Sequence, residues 1–188
     1  MKKIGILGGA FNPPHIGHLL IAEYVRDELI LDEVWFVPTY ESPHKENTTV
    51  SAKHRLAMLK CAIKDHPHFF IHTIEIDRKG KSYTIDTIRT FTKDFPTYEF
   101  FFIIGADMVE YLPNWKDVDE LFELITFVGV KRHEFTLQTS YPILTVEIPK
   151  INISSTLVRE RLKKNRSITY LVPNAVENYI KENHLYGH

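Results

Sequence analysis

The chain has 188 residues, 44% of them hydrophobic and 25% charged, with a formal net charge of −1. That is the balance of an ordinary globular protein long enough to bury a useful core, and it excludes the global basic field that draws DNA or RNA. The single cysteine, Cys61, excludes an internal disulfide and suits a reducing cytosol.

Apolar runs at residues 3–8, 33–38, 69–76, 99–104, 126–131 and 143–148 predict strands. Segments 15–30, 51–66, 84–95 and 173–183 predict helices, with shorter ones near 106–112, 116–124 and 155–164. The alternation predicts an α/β fold with a doubly wound parallel sheet and helices on both faces. One domain over 1–188 is expected, its helical C-terminal part from about residue 150 packed on the rest. A strand beginning at Lys3 leaves no room for a signal peptide, and no apolar run is long enough to span a membrane, so the cytoplasm is the expected compartment. A homo-oligomer is left open. In such folds ligands bind beyond the carboxyl ends of the strands, where the residues that carry chemistry fall here.

The first such place is Gly8-Gly9-Ala10-Phe11-Asn12-Pro13-Pro14-His15-Ile16-Gly17-His18, between a predicted strand and helix. Gly8 and Gly9 lack a Cβ, so the backbone there is expected to turn sharply and lie close to a ligand. His15 and His18 stand at the helix start close to one face, where free N–H groups and the macrodipole favour phosphate. The stretch is neither G-x-G-x-x-G nor a Walker motif, and two histidines without a third ligand do not make a zinc site.

The loop after the second strand, 38–49, is long and contains His44 and Lys45. His54 and Arg55, just inside the next helix, read as surface or packing residues. Cys61 lies in the helical pattern 56–63 and reads as a structural thiol. Ser82 or Thr84 is placed to cap the helix after it, whose N-terminus also makes a seat for a carboxylate. Gly105 and Asp107 follow the fourth strand, with Asp107 placed to cap a short helix. Trp115 lies in a polar turn where its π-face could stack on a ring. Lys131 and Arg132 end the fifth strand. Ser154, Ser155 and Thr156 supply more hydroxyls than one cap requires, with Arg159 one turn further on; that arrangement suits an anionic phosphate chain.

Gly-Gly-x-Phe-x-Pro-x-His-x-Gly-His, residues 8–18, resembles the signature of the nucleotidylyltransferase superfamily, the HxGH adenylyltransferases that share a fold with class I aminoacyl-tRNA synthetases. Ile-Ser-Ser-Thr-x-x-Arg, residues 153–159, resembles the second signature of the same superfamily. Ser-Tyr-Thr-x-Asp-Thr, residues 82–87, is similar to the segment of bacterial nicotinate-nucleotide adenylyltransferases that meets the pyridine carboxylate.

The resemblance implies a Rossmann-like fold and transfer of the adenylyl group of ATP to nicotinate mononucleotide, giving deamido-NAD and pyrophosphate in NAD biosynthesis. It implies that His15, His18, Lys45 and Arg159 do the charge work, with His44 beside Lys45. It implies an ATP site from Gly8, Gly9, Phe11, His15, His18, Gly105, Asp107, Arg132, Ile153, Ser154, Ser155, Thr156 and Arg159. For nicotinate mononucleotide it implies Gly9, Ala10, Lys45, Ser82, Tyr83, Thr84, Asp107, Trp115 and Lys116. Mg²⁺ is expected to arrive on the ATP phosphates, with no protein metal cage and no nucleic-acid or membrane partner. His133 stands where proline commonly follows the arginine in that family. The alternatives are an adenylyltransferase for nicotinamide mononucleotide or phosphopantetheine, and a nucleotide-binding module without turnover.

Overall fold

The computed structural model describes residues 1–40, 50–132 and 139–187, and for Asp107 and Arg132 the backbone alone. The strands are β1 (Lys2–Gly9), β2 (Glu33–Pro38), β3 (Phe69–Ile71), β4 (Tyr98–Gly105), β5 (Thr126–Arg132) and β6 (Leu144–Ile148). They form one sheet in the order β3-β2-β1-β4-β5-β6, with every neighbouring pair parallel. The helices are α1 (Ile16–Glu28), α2 (Ala52–Ile63), α3 (Ile74–Arg78), α4 (Thr84–Asp94), α5 (Ala106–Tyr111), α6 (Val118–Leu124), α7 (Ser155–Lys163) and α8 (Asn174–Glu182).

Side chains alternate across the pleat, and each face meets its own helices. Leu7, Val34, Phe36, Phe101, Ile103, Val128 and Val130 are buried on one face with Ala22 and Val25 of α1 and Leu59 and Ile63 of α2. Ile4, Ile6, Trp35, Val37, Phe100, Phe102 and Phe127 are buried on the other with Ile85, Ile88 and Phe91 of α4 and Leu121 of α6. A third cluster joins Met58 of α2 to Val158 and Leu162 of α7, Val176 and Ile180 of α8, and Tyr186 near the C-terminus. The half-buried Cys61 packs against that cluster. The strand order reverses between β1 and β4, which opens a crevice at their carboxyl ends. No helix among the described residues is long and apolar enough to cross a membrane.

One predicted strand is cut short. The run 69–76 gives a strand only to Ile71, and α3 takes over at Ile74. Its alternation of apolar and polar residues imitates a half-exposed strand. Two polar contacts decide otherwise: Thr73 donates its hydroxyl to Asp77 at 2.7 Å, and the buried Glu75 carboxylate accepts from Thr87 at 2.9 Å. A helical turn brings both about; an extended chain would carry Asp77 away from Thr73.

Candidate active site

The signature stretch opens as strand. Gly8 and Gly9 pair in register with Val37 and Pro38, so the sharp turn expected at the glycines comes later, where Phe11 takes a φ of 47°. The glycines supply space instead. A Cβ on Gly8 would meet no protein atom closer than 3.6 Å, and both residues line an open cavity. Phe11 is 2% exposed, and its ring packs edge-on against His18 at 5.0 Å between centroids. It supports the histidine from the core side.

His15 is the N-cap residue of α1, with His18 one turn inside, and their rings stack at 3.7 Å. The His15 amide donates to His18 Nδ1 at 3.1 Å. In the neutral ring that acceptor role leaves the proton on Nε2, so His18 presents a donor to whatever lies beyond. His15 Nδ1 is buried with no hydrogen-bond partner among the described residues. Burial pushes His15 down to about 4, and burial with the adjacent His15 holds His18 well below 6.5. Both are thereby held neutral at pH 7. The free N–H groups expected at this helix start are fewer than foreseen. Ile16 N donates to Leu171 O at 2.9 Å and His18 N to His15 O at 3.0 Å.

The second signature folds against the first. Ser154 caps α7 by accepting from Leu157 N at 3.1 Å. Ser155 Oγ donates to Pro13 O at 2.8 Å. Arg159 spans the junction, with Nη1 on Asn12 O at 2.8 Å and Nη2 on Thr156 Oγ1 at 3.2 Å. The N-termini of α1 and α7 therefore converge on one loop, with their positive ends and a guanidinium around it. Ile153 leads into α7, and its carbonyl would lie 3.5 Å from a Cβ placed on Gly17.

A cavity of about 670 Å³ opens at the carboxyl ends of β1 and β4. Its lining includes Gly8, Gly9 and Ala10, the segment Ser82-Tyr83-Thr84, Gly105, and Trp115 with Lys116. Neither Ser82 nor Thr84 caps α4. Tyr83 is the N-cap residue, without a side-chain bond, and Thr84 begins the helix. Asp86 N and Thr87 N donate to Tyr83 O at 3.1 and 3.4 Å, which leaves the amides of Thr84 and Ile85 without an acceptor within the helix. Ser82 is buried instead, its hydroxyl accepting from Arg78 at 3.3 Å. Trp115 is half-buried, edge-on to Phe102 and Phe127, and Lys116 Nζ lies 4.8 Å from the centre of the Tyr83 ring. Gly105, not Asp107, is the N-cap residue of α5. Asp107 is the second residue of that helix and Arg132 the last of β5. His44 and Lys45 lie outside the described residues.

Residues 6–161 match the cytidylyltransferase-like family model. A probable nicotinate-nucleotide adenylyltransferase of Oceanobacillus iheyensis is 56% identical over 187 residues, covering 100% of this chain and 98% of its own. The nicotinate-nucleotide adenylyltransferase of Bacillus subtilis is 49% identical, with 99% of both chains covered. The chain belongs to the nicotinate-nucleotide adenylyltransferase family. The fold agrees: nicotinic acid mononucleotide adenylyltransferase of Plasmodium falciparum, solved in complex with NaAD, superposes with a TM-score of 0.84 at 24% identity, covering 99% of this chain and 98% of that one.

Sequence reading of this adenylyltransferase passed over three residues that the structure draws to the signature loop. Arg55 is 1% exposed and Tyr186 9% exposed, and Asn12 joins them from within the loop. Arg55 had a signal, since it shares the buried stripe of α2 with Met58, Leu59 and Ile63. Tyr186 had none, because its partner is 174 residues away.

Proposed function

We propose that the protein transfers the adenylyl group of ATP to nicotinate mononucleotide, forming deamido-NAD and releasing pyrophosphate. The observation that carries this reading is the shared cavity. Gly8, Gly9 and Ala10, at the start of the loop that bears His15 and His18, line the same cavity as the N-terminus of α4, so the carboxylate seat opens at the foot of the histidine loop. The name shared by its relatives favours this reaction over nicotinamide mononucleotide, phosphopantetheine or binding without turnover. The chain is read as one nucleotidylyltransferase domain acting in the cytoplasm.

The mononucleotide phosphate attacks the α-phosphorus of ATP in line, and pyrophosphate leaves from the opposite side. No nucleophile from the protein is required, so catalysis is positioning and stabilisation of developing charge. His18 donates from Nε2 toward the phosphates, and His15 stacks behind it with Nδ1 awaiting a partner. Arg159 and the N-terminus of α7, through Ile153, Ser154, Ser155 and Thr156, hold the triphosphate from the other side. Gly105, Asp107 and Arg132 serve the nucleoside of ATP, and Lys45 the substrate phosphates. Neutral imidazoles, a guanidinium and helix N-termini fit phosphate oxygens and not a bare cation, and no three His, Cys, Asp or Glu side chains group together among the described residues. Mg²⁺ would arrive on the triphosphate and would neutralise charge there.

The amides around Tyr83 and Thr84 donate to the nicotinate carboxylate, with Trp115 against the pyridine ring. Hydrogen bonds to a charged group contribute about 1.5–3 kcal/mol against about 1 for a neutral one. Pyrophosphate release from Mg-ATP is therefore expected to show kcat/KM about 2- to 30-fold higher with nicotinate mononucleotide than with the nicotinamide form for each such hydrogen bond. Equal values would remove the carboxylate filter and keep the reaction class. No turnover with either would overturn the reaction itself.

Gly17 offers a second test. A Cβ there would lie 3.0 Å from His15 Nδ1 and 3.1 Å from Cε1, so the ring must move. Alanine inside a helix ordinarily stabilises by about 0.5–1 kcal/mol over glycine. Gly17→Ala is expected to leave Tm within a few degrees and to lower kcat. Unchanged kcat in the folded variant would show that the seat of the His15 ring is unimportant.

A further inference from the structure

Three side chains from distant parts of the chain grip the signature loop. Arg159 of α7 holds the Asn12 carbonyl at 2.8 Å. Tyr186, at the end of the chain in a 3-10 turn over Leu185–Gly187, donates its hydroxyl to Asn12 Oδ1. Arg55 of α2 donates through Nη1 to Ala10 O at 2.6 Å, and through Nη2 to Thr39 O at 2.7 Å and Tyr40 O at 2.8 Å. Arg159 is already in the proposed phosphate site. Arg55 and Tyr186 are not.

The placement of Arg55 is unusual for a packing residue. Its neighbours on the buried stripe of α2 are apolar, and among the described residues it has no carboxylate in ion-pair range. A buried cation held only by carbonyls costs more than a leucine or methionine of similar volume would. What the guanidinium provides is a fork. The β1–β2 ladder ends with Thr39 N donating to Gly9 O at 3.0 Å, and beyond it the two chains diverge. One strand continues into the histidine loop and the other into the 38–49 loop that contains Lys45. The three carbonyls on Arg55 are the first ones past that divergence, so a single side chain sets the spacing of the two segments at Ala10 and at Thr39 and Tyr40. Tyr186 performs the matching task at Asn12, between the turn at Phe11 and the N-cap at His15. Its phenol lies near both Arg55 and Arg159, and burial keeps it protonated as a donor.

We infer that Arg55 and Tyr186 are positioning residues for the adenylyl transfer, fixing the Ala10–His15 loop against the base of the 38–49 loop so that the histidines meet the phosphates in line. The inference rests on the reaction proposed above. Catalysis of this kind is sensitive to small displacements of the groups that stabilise charge, whereas substrate affinity is less so.

The test uses the full-length chain as wild type, Tyr186→Phe and Arg55→Lys, with kcat, both KM values and Tm measured for each. Tyr186→Phe removes one hydrogen bond and keeps the ring, so Tm is expected to stay within a few degrees. Its kcat is expected to fall about fivefold to tenfold, with KM for nicotinate mononucleotide within about twofold. Arg55→Lys keeps the charge and loses the fork, and a larger fall in kcat is expected. If Arg55→Lys does not fold, Tyr186→Phe decides alone. The imidazole NMR signals of His15 and His18 are also expected to move in Tyr186→Phe without substrate, a readout independent of turnover. Wild-type kcat and unmoved imidazole signals in folded Tyr186→Phe, with only Tm lowered, would reduce these residues to fold stability and overturn the inference. Absence of turnover in the wild type would instead refute the reaction.

Discussion

His18→Ala is expected to lower kcat for pyrophosphate release about 100- to 1,000-fold, the range for losing one preorganised donor to developing charge. The geometry leaves His18 one task. Its Nδ1 accepts from the His15 amide at 3.1 Å, so in the neutral ring Nε2 is the nitrogen free to donate. Burial and the neighbouring His15 keep the ring neutral before substrate binds, so no repulsion between the two stacked rings has to be overcome in the ligand-free protein. The cost to folding is small by comparison. The ring is half-buried, makes one hydrogen bond and touches Phe11 edge-on, a loss of about 1–2 kcal/mol. For a chain of this length that is a shift in Tm of about 2–8 °C. A folded His18→Ala protein with full kcat would remove His18 from the mechanism.

Arg159→Ala is expected to lower kcat/KM for ATP about tenfold to a hundredfold, the equivalent of about 1.5–3 kcal/mol for a charge-assisted contact. Two losses combine. The Asn12 carbonyl loses its donor at 2.8 Å, and the loop that bears both histidines loses its tie to α7. The site also loses the positive charge at the start of α7, where the proposed triphosphate site lies. Arg159→Lys separates these effects. Lysine restores the charge but not a planar fork able to bond Asn12 and Thr156 together, so only partial recovery is expected. Complete recovery with lysine would show that charge alone matters and that the bridge between the two signatures does not.

Much of this was written locally. The strands β1, β2, β4, β5 and β6 came out within two residues of the apolar runs, because strands buried on both faces leave continuous apolar segments. The helices likewise followed their periodicity, α1, α2, α4 and α8 among them. Where local pattern failed, the cause was a contact outside its window. At residues 72–76 the alternation favoured strand, and the contact of Glu75 with Thr87 of α4 favoured helix. Gly8 and Gly9 were expected to turn because glycine can, but pairing with β2 holds them extended. Ser82 and Thr84 have the chemistry of caps, and the chain enters α4 one residue away from either.

By itself, then, the sequence determined the α/β architecture and the two signatures, since periodicity, turn chemistry and motif spacing are local properties of the chain. It also determined which residue types could hold phosphate and carboxylate. Only the tertiary structure decided how those pieces meet. It stacked His15 on His18 and set His18 Nδ1 on the His15 amide, and it set Arg159 across 147 residues onto Asn12. It also turned a buried arginine and the last tyrosine of the chain toward one loop. Such contacts depend on how helices from distant segments pack on the sheet, and no periodicity encodes a hydrogen bond between side chains so far apart in sequence.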